Sequence, residues 1–275
     1  MLAIPIKNIF WFFLNPFIII ELTGNLHFEG VMLFFLLWAL YLLLRHKWLL
    51  SAVVFALSIS VKLLPLLFLP MFFHYFRKTS RLGLKRLLKF YGITALVCLF
   101  SFLPFLTSGV MNNYLATTAL WFQKFEFNAS IYYLVRWLGF QVKGYNIIGT
   151  SGMVLGMVVV MAVLIIAWII WKREKTAGAE LKLQINGLLW GILIYYFLAT
   201  TIHPWYLGLP LILCIFTRFR FPFVWVLAAY LSYSAYSVYP AEENLWLVAL
   251  EYLLVFGFLA YEVIPQLKRK SSFPS

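Results

Sequence analysis

WLLSAVVFALSISVKLLPLLFLPMFFHYF, residues 48–76, decides how this chain is folded. The run is mostly apolar, carries Lys62 at its middle, and is interrupted by Pro65 and Pro70. Arg45 and Lys47 precede it; Arg77, Lys78, Arg81, Lys85, Arg86 and Lys89 follow it. As one helix it would carry these two basic loops to opposite membrane faces. As a hairpin turning at Lys62-Leu63-Leu64-Pro65 it leaves both on one face, as the positive-inside rule favours. Each arm is then about 14 residues, or about 21 Å of helix, against a hydrocarbon core of roughly 30 Å. Short, broken helices are tolerated where they line an enclosed or water-filled cavity. The sequence therefore predicts a proline-broken hairpin here.

A second stretch has the same design. Thr201-Ile202-His203-Pro204-Trp205-Tyr206 lies within an apolar run from Ile185 to Phe216. At 1.5 Å per residue that run would be about 48 Å long as a helix, too long for one span, and Pro204 would interrupt it. Two segments meeting at His203-Pro204 are expected. An imidazole and two amphipathic aromatics would then lie at headgroup depth, and a titratable group there is a candidate for function.

The composition agrees. Of 275 residues, 64% are hydrophobic and only 11% are charged, where soluble domains carry about 25% charged residues. Apolar runs recur end to end, so the fold class expected is all-α, a polytopic integral membrane protein. A β-barrel would need short alternating strands, which are absent from the sequence pattern. The net charge of +13 does not indicate nucleic acid, because the cations sit in short loops between apolar runs. Cys98 and Cys214 lie inside apolar segments and read as small core residues. All nine acids are Glu; the sequence has no Asp.

The remaining segments are expected at Ala3–Glu21, from Gly30 to Leu44, Phe90–Leu106, Ile147–Trp171, Phe223–Tyr239 and Leu245–Ile264. With the two hairpins this makes about ten membrane segments in a single domain over residues 1–275, with both termini cytoplasmic in a cell (inner) membrane. Seventeen of the 22 Lys and Arg residues then fall on the cytoplasmic side, a strong bias. Residues 107–145 form the largest non-cytoplasmic loop.

Four polar features converge on the outer face: Asn25, His27 and Glu29; Lys62; Glu126–Tyr133; and His203-Pro204-Trp205-Tyr206. The Lys62 ammonium suits a phosphate at headgroup depth; the plainer alternative is a lysine reaching for the interface. His27 and Glu29 suit a polar substrate or a proton transfer; the plainer alternative is loop polarity. His203 suits a phosphate or sugar hydroxyl; the alternative is a membrane anchor. Trp205 and Tyr206 read as interfacial belt residues before sugar-stacking platforms. Asn128-Ala129-Ser130 matches a glycosylation sequon, a match frequent by chance. No metal-ligand spacing, Walker loop or dinucleotide glycine pattern is present, so no metal and no cofactor are expected.

Asn15-Pro16, Glu21, Gly24-Asn25-Leu26-His27-Phe28-Glu29-Gly30, then Ser60-Val61-Lys62-Leu63-Leu64-Pro65, then Phe127-Asn128-Ala129-Ser130-Ile131-Tyr132-Tyr133, then His203-Pro204-Trp205-Tyr206 follow one another along the chain. In this order they resemble the polyprenol-phosphate-mannose-dependent mannosyltransferases of the GT-C class of integral-membrane glycosyltransferases. The resemblance extends from Asn15 to Pro265. It implies a GT-C-like fold and transfer of a hexose, mannose foremost, from a polyprenyl-phosphate sugar to a glycan or lipid acceptor on the non-cytoplasmic face. The partners implied are that donor, the acceptor and membrane lipids, with no nucleic acid. Carried over, Lys62 and His203 would contact the donor phosphate or the reacting sugar, and Asn25, His27 and Glu29 would line the acceptor or donor pocket; Tyr206 and Asn128 are further substrate-binding candidates. The class places an acidic catalytic residue in its first outer loop, which would precede Asn15, and has further N-terminal helices. On that comparison the chain reads as an N-terminally truncated member lacking its general base, with Glu29 and Glu126 as substitute candidates. Two other readings stay open: a transporter or flippase for a lipid-linked or polar substrate, and a non-catalytic membrane subunit.

Overall fold

The computed structural model describes residues 4–79, 82–172, 177–237 and 242–271. Among them there are helices and no named strand. At the N-terminus, α1 (Phe10–Phe13) and α2 (Pro16–Ile18) are divided by Asn15-Pro16. The Asn15 carboxamide oxygen accepts from Phe17 N at 3.0 Å, and Pro16 takes the first helical position. This is a helix start written into the sequence. It bends the Ile6–Phe13 and Pro16–Gly24 pair by 53°.

Two antiparallel helices follow, α3 (Glu29–Leu44) and α4 (Trp48–Val61). Ser51 Oγ donates to Ala39 O at 2.8 Å and Ser58 Oγ to Met32 O at 2.9 Å. Hydroxyls bonding across close-packed helices are a usual adhesive inside membranes. The next helices are α5 (Leu69–His74) and α6 (Leu84–Phe102). Thr94 on α6 donates to Ala52 O and Cys98 to Ala56 O. Advancing together along both helices, these bonds make α4 and α6 parallel, so the chain between them must come back.

It does so as the expected hairpin. Lys62 ends α4 in extended backbone (φ −155°, ψ 134°), and a 3-10 turn, Leu64–Phe68, leads into α5. Phe72 packs edge-on to Phe55 at 4.9 Å, and Phe76 lies 6.5 Å from Trp48. The two basic loops therefore fall at one end of the molecule.

Helices α7 (Ser108–Gln123) and α8 (Ile131–Lys143) occupy most of residues 107–145, a stretch expected to carry interfacial helices. Then come α9 (Ile148–Lys172) and α10 (Ala177–Leu198), antiparallel, with Gly187 against Ile170 and Gly191 opposite Val163. A β-carbon on Gly187 would fall 2.1 Å from Ile170 Cδ1, so a larger residue there would have to displace the end of that side chain. The second hairpin follows: a 3-10 turn, Pro204–Leu207, and α11 (Gly208–Cys214) fold back along α10. Tyr196 donates to Tyr206 O at 2.9 Å, and Trp190 meets Phe219 edge-on at 5.4 Å. Last, α12 (Phe221–Ala228) pairs antiparallel with α13 (Leu245–Ser271). Glu262 on α13 accepts from Arg220 N at 2.8 Å and Phe221 N at 3.1 Å, covering the bare amides at the start of α12.

Among the described residues, three helical stretches are long and apolar enough to cross a bilayer alone: Leu84–Phe105, Ile148–Lys172 and Leu245–Pro265. The bent N-terminal pair makes a fourth if taken as one span. The other expected segments are shorter or broken. Phe223–Tyr239 in particular becomes α12 plus a 3-10 stretch, Ala229–Ser237, where serines alternate with tyrosines. Apolar helices support a membrane protein.

Candidate functional site

The site forms where the two hairpin turns meet the turn before α3. That turn leaves the α2 helix through Gly24 and Asn25. Leu26 takes a left-handed φ of 54°, and His27 N bonds back to Glu21 O at 3.2 Å. These bonds bring His27 and Asn25 over Glu21. The Glu21 carboxylate is fully buried. It accepts from Asn25 Nδ2 at 3.3 Å and from the Tyr233 hydroxyl, and its Oε2 lies 3.4 Å from His27 Nε2.

Glu29 opens α3 and is buried, and Lys62 reaches across from the first hairpin to pair with it. The same ammonium lies 3.7 Å from the centre of the Tyr206 ring, which belongs to the second hairpin. A cation over an aromatic face gains electrostatic attraction when desolvated. Burial lowers the Lys62 pKa, and the neighbouring Glu29 carboxylate opposes that shift.

His203 precedes Pro204 in extended backbone, as a residue before proline must. Its ring is part of a ladder of flat groups. His27 stacks on Trp205 at 3.8 Å, Trp205 on His203 at 4.4 Å, and His203 on Phe127 at 5.0 Å. The Tyr206 ring meets His203 edge-on at 5.5 Å. Both faces of Trp205 are taken by imidazoles, so it offers no platform for a sugar. Burial first, then the charges of Lys62 and His27, push the His203 pKa down from 6.5 to about 4. At neutral pH this imidazole is a neutral hydrogen-bonding group, and Lys62 is the cation.

The loop before α8 closes one wall. Phe127 N bonds Thr200 O at 3.1 Å and Ile202 N bonds Phe127 O at 2.8 Å, a short parallel bridge onto the His203 turn. Behind it, Asn128 adopts a left-handed φ of 47° and is fully buried. Its backbone N bonds Glu243 at 2.5 Å, and its Nδ2 bonds Glu251 of α13 at 3.1 Å. Glu251 also accepts from Trp225 Nε1 at 3.0 Å. Burial raises the Glu243 pKa, against hydrogen bonds from Tyr133 and Asn128 N.

Six of the residues singled out from sequence thus come together: Asn25, His27, Glu29, Lys62, His203 and Tyr206. Two do not. Asn128 lies behind Phe127 with its Nδ2 engaged by Glu251, and a buried carboxamide is a poor glycan acceptor. Glu126 is held by Arg136, by Tyr132 at 2.6 Å and by Asn146 at 3.3 Å. That carboxylate anchors α8 and stands apart from the Lys62 cluster. Glu21, Trp205, Phe127 and Tyr233 join the site with less warning. An acid closing an apolar helix was the available signal for Glu21; Tyr233 offered none. Among the described residues, no group of three His, Cys, Asp or Glu side chains is placed to hold a metal ion.

From Lys62 and Tyr206 an apolar groove of about 880 Å³ runs between the Leu64–Phe68 turn and α9, past Leu67, Met157 and Val160. A smaller recess of about 180 Å³, under Gly156, Tyr195 and Thr201, shares its Tyr206 wall. The arrangement offers one partly buried cation, a carboxylate beside it, neutral polar groups and a long apolar trough.

Residues 4–77 match the family model described as alpha-(1->6)-mannopyranosyltransferase, N-terminal domain, of the MptA_B family. The matched stretch contains the Asn15–Gly30 and Ser60–Pro65 motifs. This agrees with a mannosyltransferase family and supports a glycosyltransferase enzyme. No curated protein matches the chain, and no solved structure does.

Proposed function

We propose, from a mannosyltransferase domain match over residues 4–77, that the chain transfers a mannosyl residue from a polyprenyl-phosphate donor to a glycan or lipid acceptor. The observation that carries the donor class is the join between Lys62 and the apolar groove. A phosphate on a long isoprenoid needs a cation at the head of an apolar trough, and this geometry supplies both. The cation bias between the two ends supports a reaction on the non-cytoplasmic face of a cell membrane, with about ten segments and both termini inside.

In this reading Lys62 exchanges partners. The incoming phosphate takes the ammonium from Glu29, while Tyr206 stays beneath it and His203 donates or accepts a hydrogen bond at the phosphate or sugar. The released Glu29 carboxylate takes the acceptor hydroxyl proton as the acceptor oxygen bonds to the anomeric carbon. The bond from that carbon to the phosphate oxygen breaks on the opposite side, inverting the centre. The phosphate keeps the electron pair, and Lys62 stabilises the charge that develops there. Asn25 and His27, held by Glu21, line the acceptor side.

The test is reconstitution of the full chain in vesicles with polyprenyl-phosphate [14C]mannose and a panel of glycan and lipid acceptors. Label moving to an acceptor, with release of polyprenyl phosphate, supports the assignment. Donor left intact with every acceptor overturns it, and solute uptake without a transfer product would point to a transporter.

A further inference from the structure

A second cavity lies at the other end of the molecule, unconnected with the transfer chemistry. It measures about 270 Å³ and is lined by Leu40, Leu43, Phe72, Gln184, Leu188 and Phe216 among others. These residues come from the end of α3, the returning arm of the first hairpin, the beginning of α10 and the end of α11. Each of those elements has its opposite end at the Lys62–His203 cluster. Along α3 alone the separation from Glu29 to Leu44 is about 22 Å.

Three observations bear on what this cavity takes. Its walls are almost wholly apolar, and its size is just under that of small-molecule sites, which run from about 300 Å³ upward. Cations flank the lining residues along the chain. Arg45 and Lys47 follow the lining residue Leu44, Arg77 follows Tyr75 by two, Lys182 precedes Gln184 by two, and Arg218 follows Phe216 by two. All five are exposed, and none forms a salt bridge among the described residues. Finally, one wall group calls for a donor. Gln184 is 6% exposed. Its Nε2 donates to Met71 O at 2.8 Å, which fixes the amide orientation. Its Oε1 has no hydrogen-bond partner among the described residues. Buried acceptors are almost always partnered by protein, water or ligand.

We propose that this cavity binds one anionic phospholipid. An acyl chain lies between Leu40, Phe72 and Leu188, the phosphate faces Arg45, Lys47 and Arg77, and a glycerol or headgroup hydroxyl reaches Gln184. A zwitterionic lipid would fill the same apolar volume but leave the flanking charge uncompensated. A free phosphate would leave the apolar volume empty. Basic residues facing the cytoplasmic leaflet attract anionic lipid in general. What is particular here is that they neighbour, in sequence, the lining of a cavity with a polar acceptor in its wall.

The experiment is native mass spectrometry of the full chain in neutral detergent, with phosphatidylglycerol or phosphatidylcholine added at equal mole fraction. Thermal unfolding is followed on the same samples. The expected result is a retained one-to-one phosphatidylglycerol adduct with a raised Tm, and little retention of phosphatidylcholine. The combined Arg45→Gln, Lys47→Gln and Arg77→Gln variant should weaken retention on the order of 100-fold, from the worth of each cation near an anionic surface. Leu40→Trp, which fills the cavity, should abolish the adduct, while Lys124→Gln at the other end leaves it unchanged. Equal retention of the two lipids overturns the proposal. So does an adduct that persists in Leu40→Trp, or one lost equally in Lys124→Gln, since either means adsorption to the surface at large. The triple variant alters only exposed side chains, so it carries the test if the cavity-filling variant does not fold.

Discussion

At Lys62 a helix stops in extended backbone and leaves a charged group partly exposed, with Glu29 and the Tyr206 ring as its partners. At His203 a helix also stops before a proline and enters a 3-10 turn, but the titratable group is buried, neutral and stacked on both sides. The first break keeps its charge by giving it one carboxylate that a substrate can displace. The second gives up its charge and is locked by the Phe127 bridge. The same local device thus yields a charged group paired with a carboxylate in one hairpin and a neutral, stacked group in the other.

The difference can be broken most severely from the charged side. Glu29→Gln should lower kcat by about 10²- to 10⁴-fold, the usual worth of a general base, with donor KM little changed. Single-turnover kinetics would check this, and an unaltered kcat would remove Glu29 from the chemistry. Lys62→Met should act on donor use instead. A hydrogen bond to a charged group is worth about 1.5–3 kcal/mol, so donor KM should rise roughly 10- to 100-fold while acceptor KM stays put. Equal changes in both would show that the cation serves only packing.

The shape-holding side should answer in stability. Asn128→Ala removes the amide from Glu251 and leaves a buried carboxyl with one partner fewer, at a cost of about 1–3 kcal/mol. It should lower Tm with a smaller effect on KM than Lys62→Met. For His203 the comparison is in pH. Its folded pKa is about 4 against an unfolded 6.5, so the unfolded chain binds the extra proton first. Stability from this group is complete above pH 6.5 and is lost as pH falls towards 4. His203→Gln should flatten that part of the Tm–pH curve. The smallest effect belongs far from either break: Ser58→Ala, which deletes one interhelical bond to Met32 O, should cost about 0.6 kcal/mol.

Both hairpins were legible because prolines, charges and apolar run length are local signals. Whether the arms fold back was settled by the cation bias, and the Trp48–Phe76 and Phe55–Phe72 contacts agree. The six clustering residues were legible as types near helix breaks. What could not be read was which carboxylate goes where. Glu126 and Glu29 look alike in sequence; Arg136, Tyr132 and Asn146 surround the one, and Lys62 is paired with the other. Glu21 is completed by Tyr233, 212 residues away, and no periodicity reports such a pairing. In the expected Phe223–Tyr239 segment the sequence did not show the change from α-helix to 3-10, where the serines bond back three residues.

The shortness of the first hairpin also bears on how the chain enters its membrane. Helix α4 covers about 21 Å, so alone it is a poor stop for the insertion machinery. The α4 arm and the returning arm would have to be accepted as one unit, after the basic stretch that follows Phe76 has been made. The turn that later presents Lys62 to a substrate would then be the last part of this unit to find its depth, guided by cations that never cross.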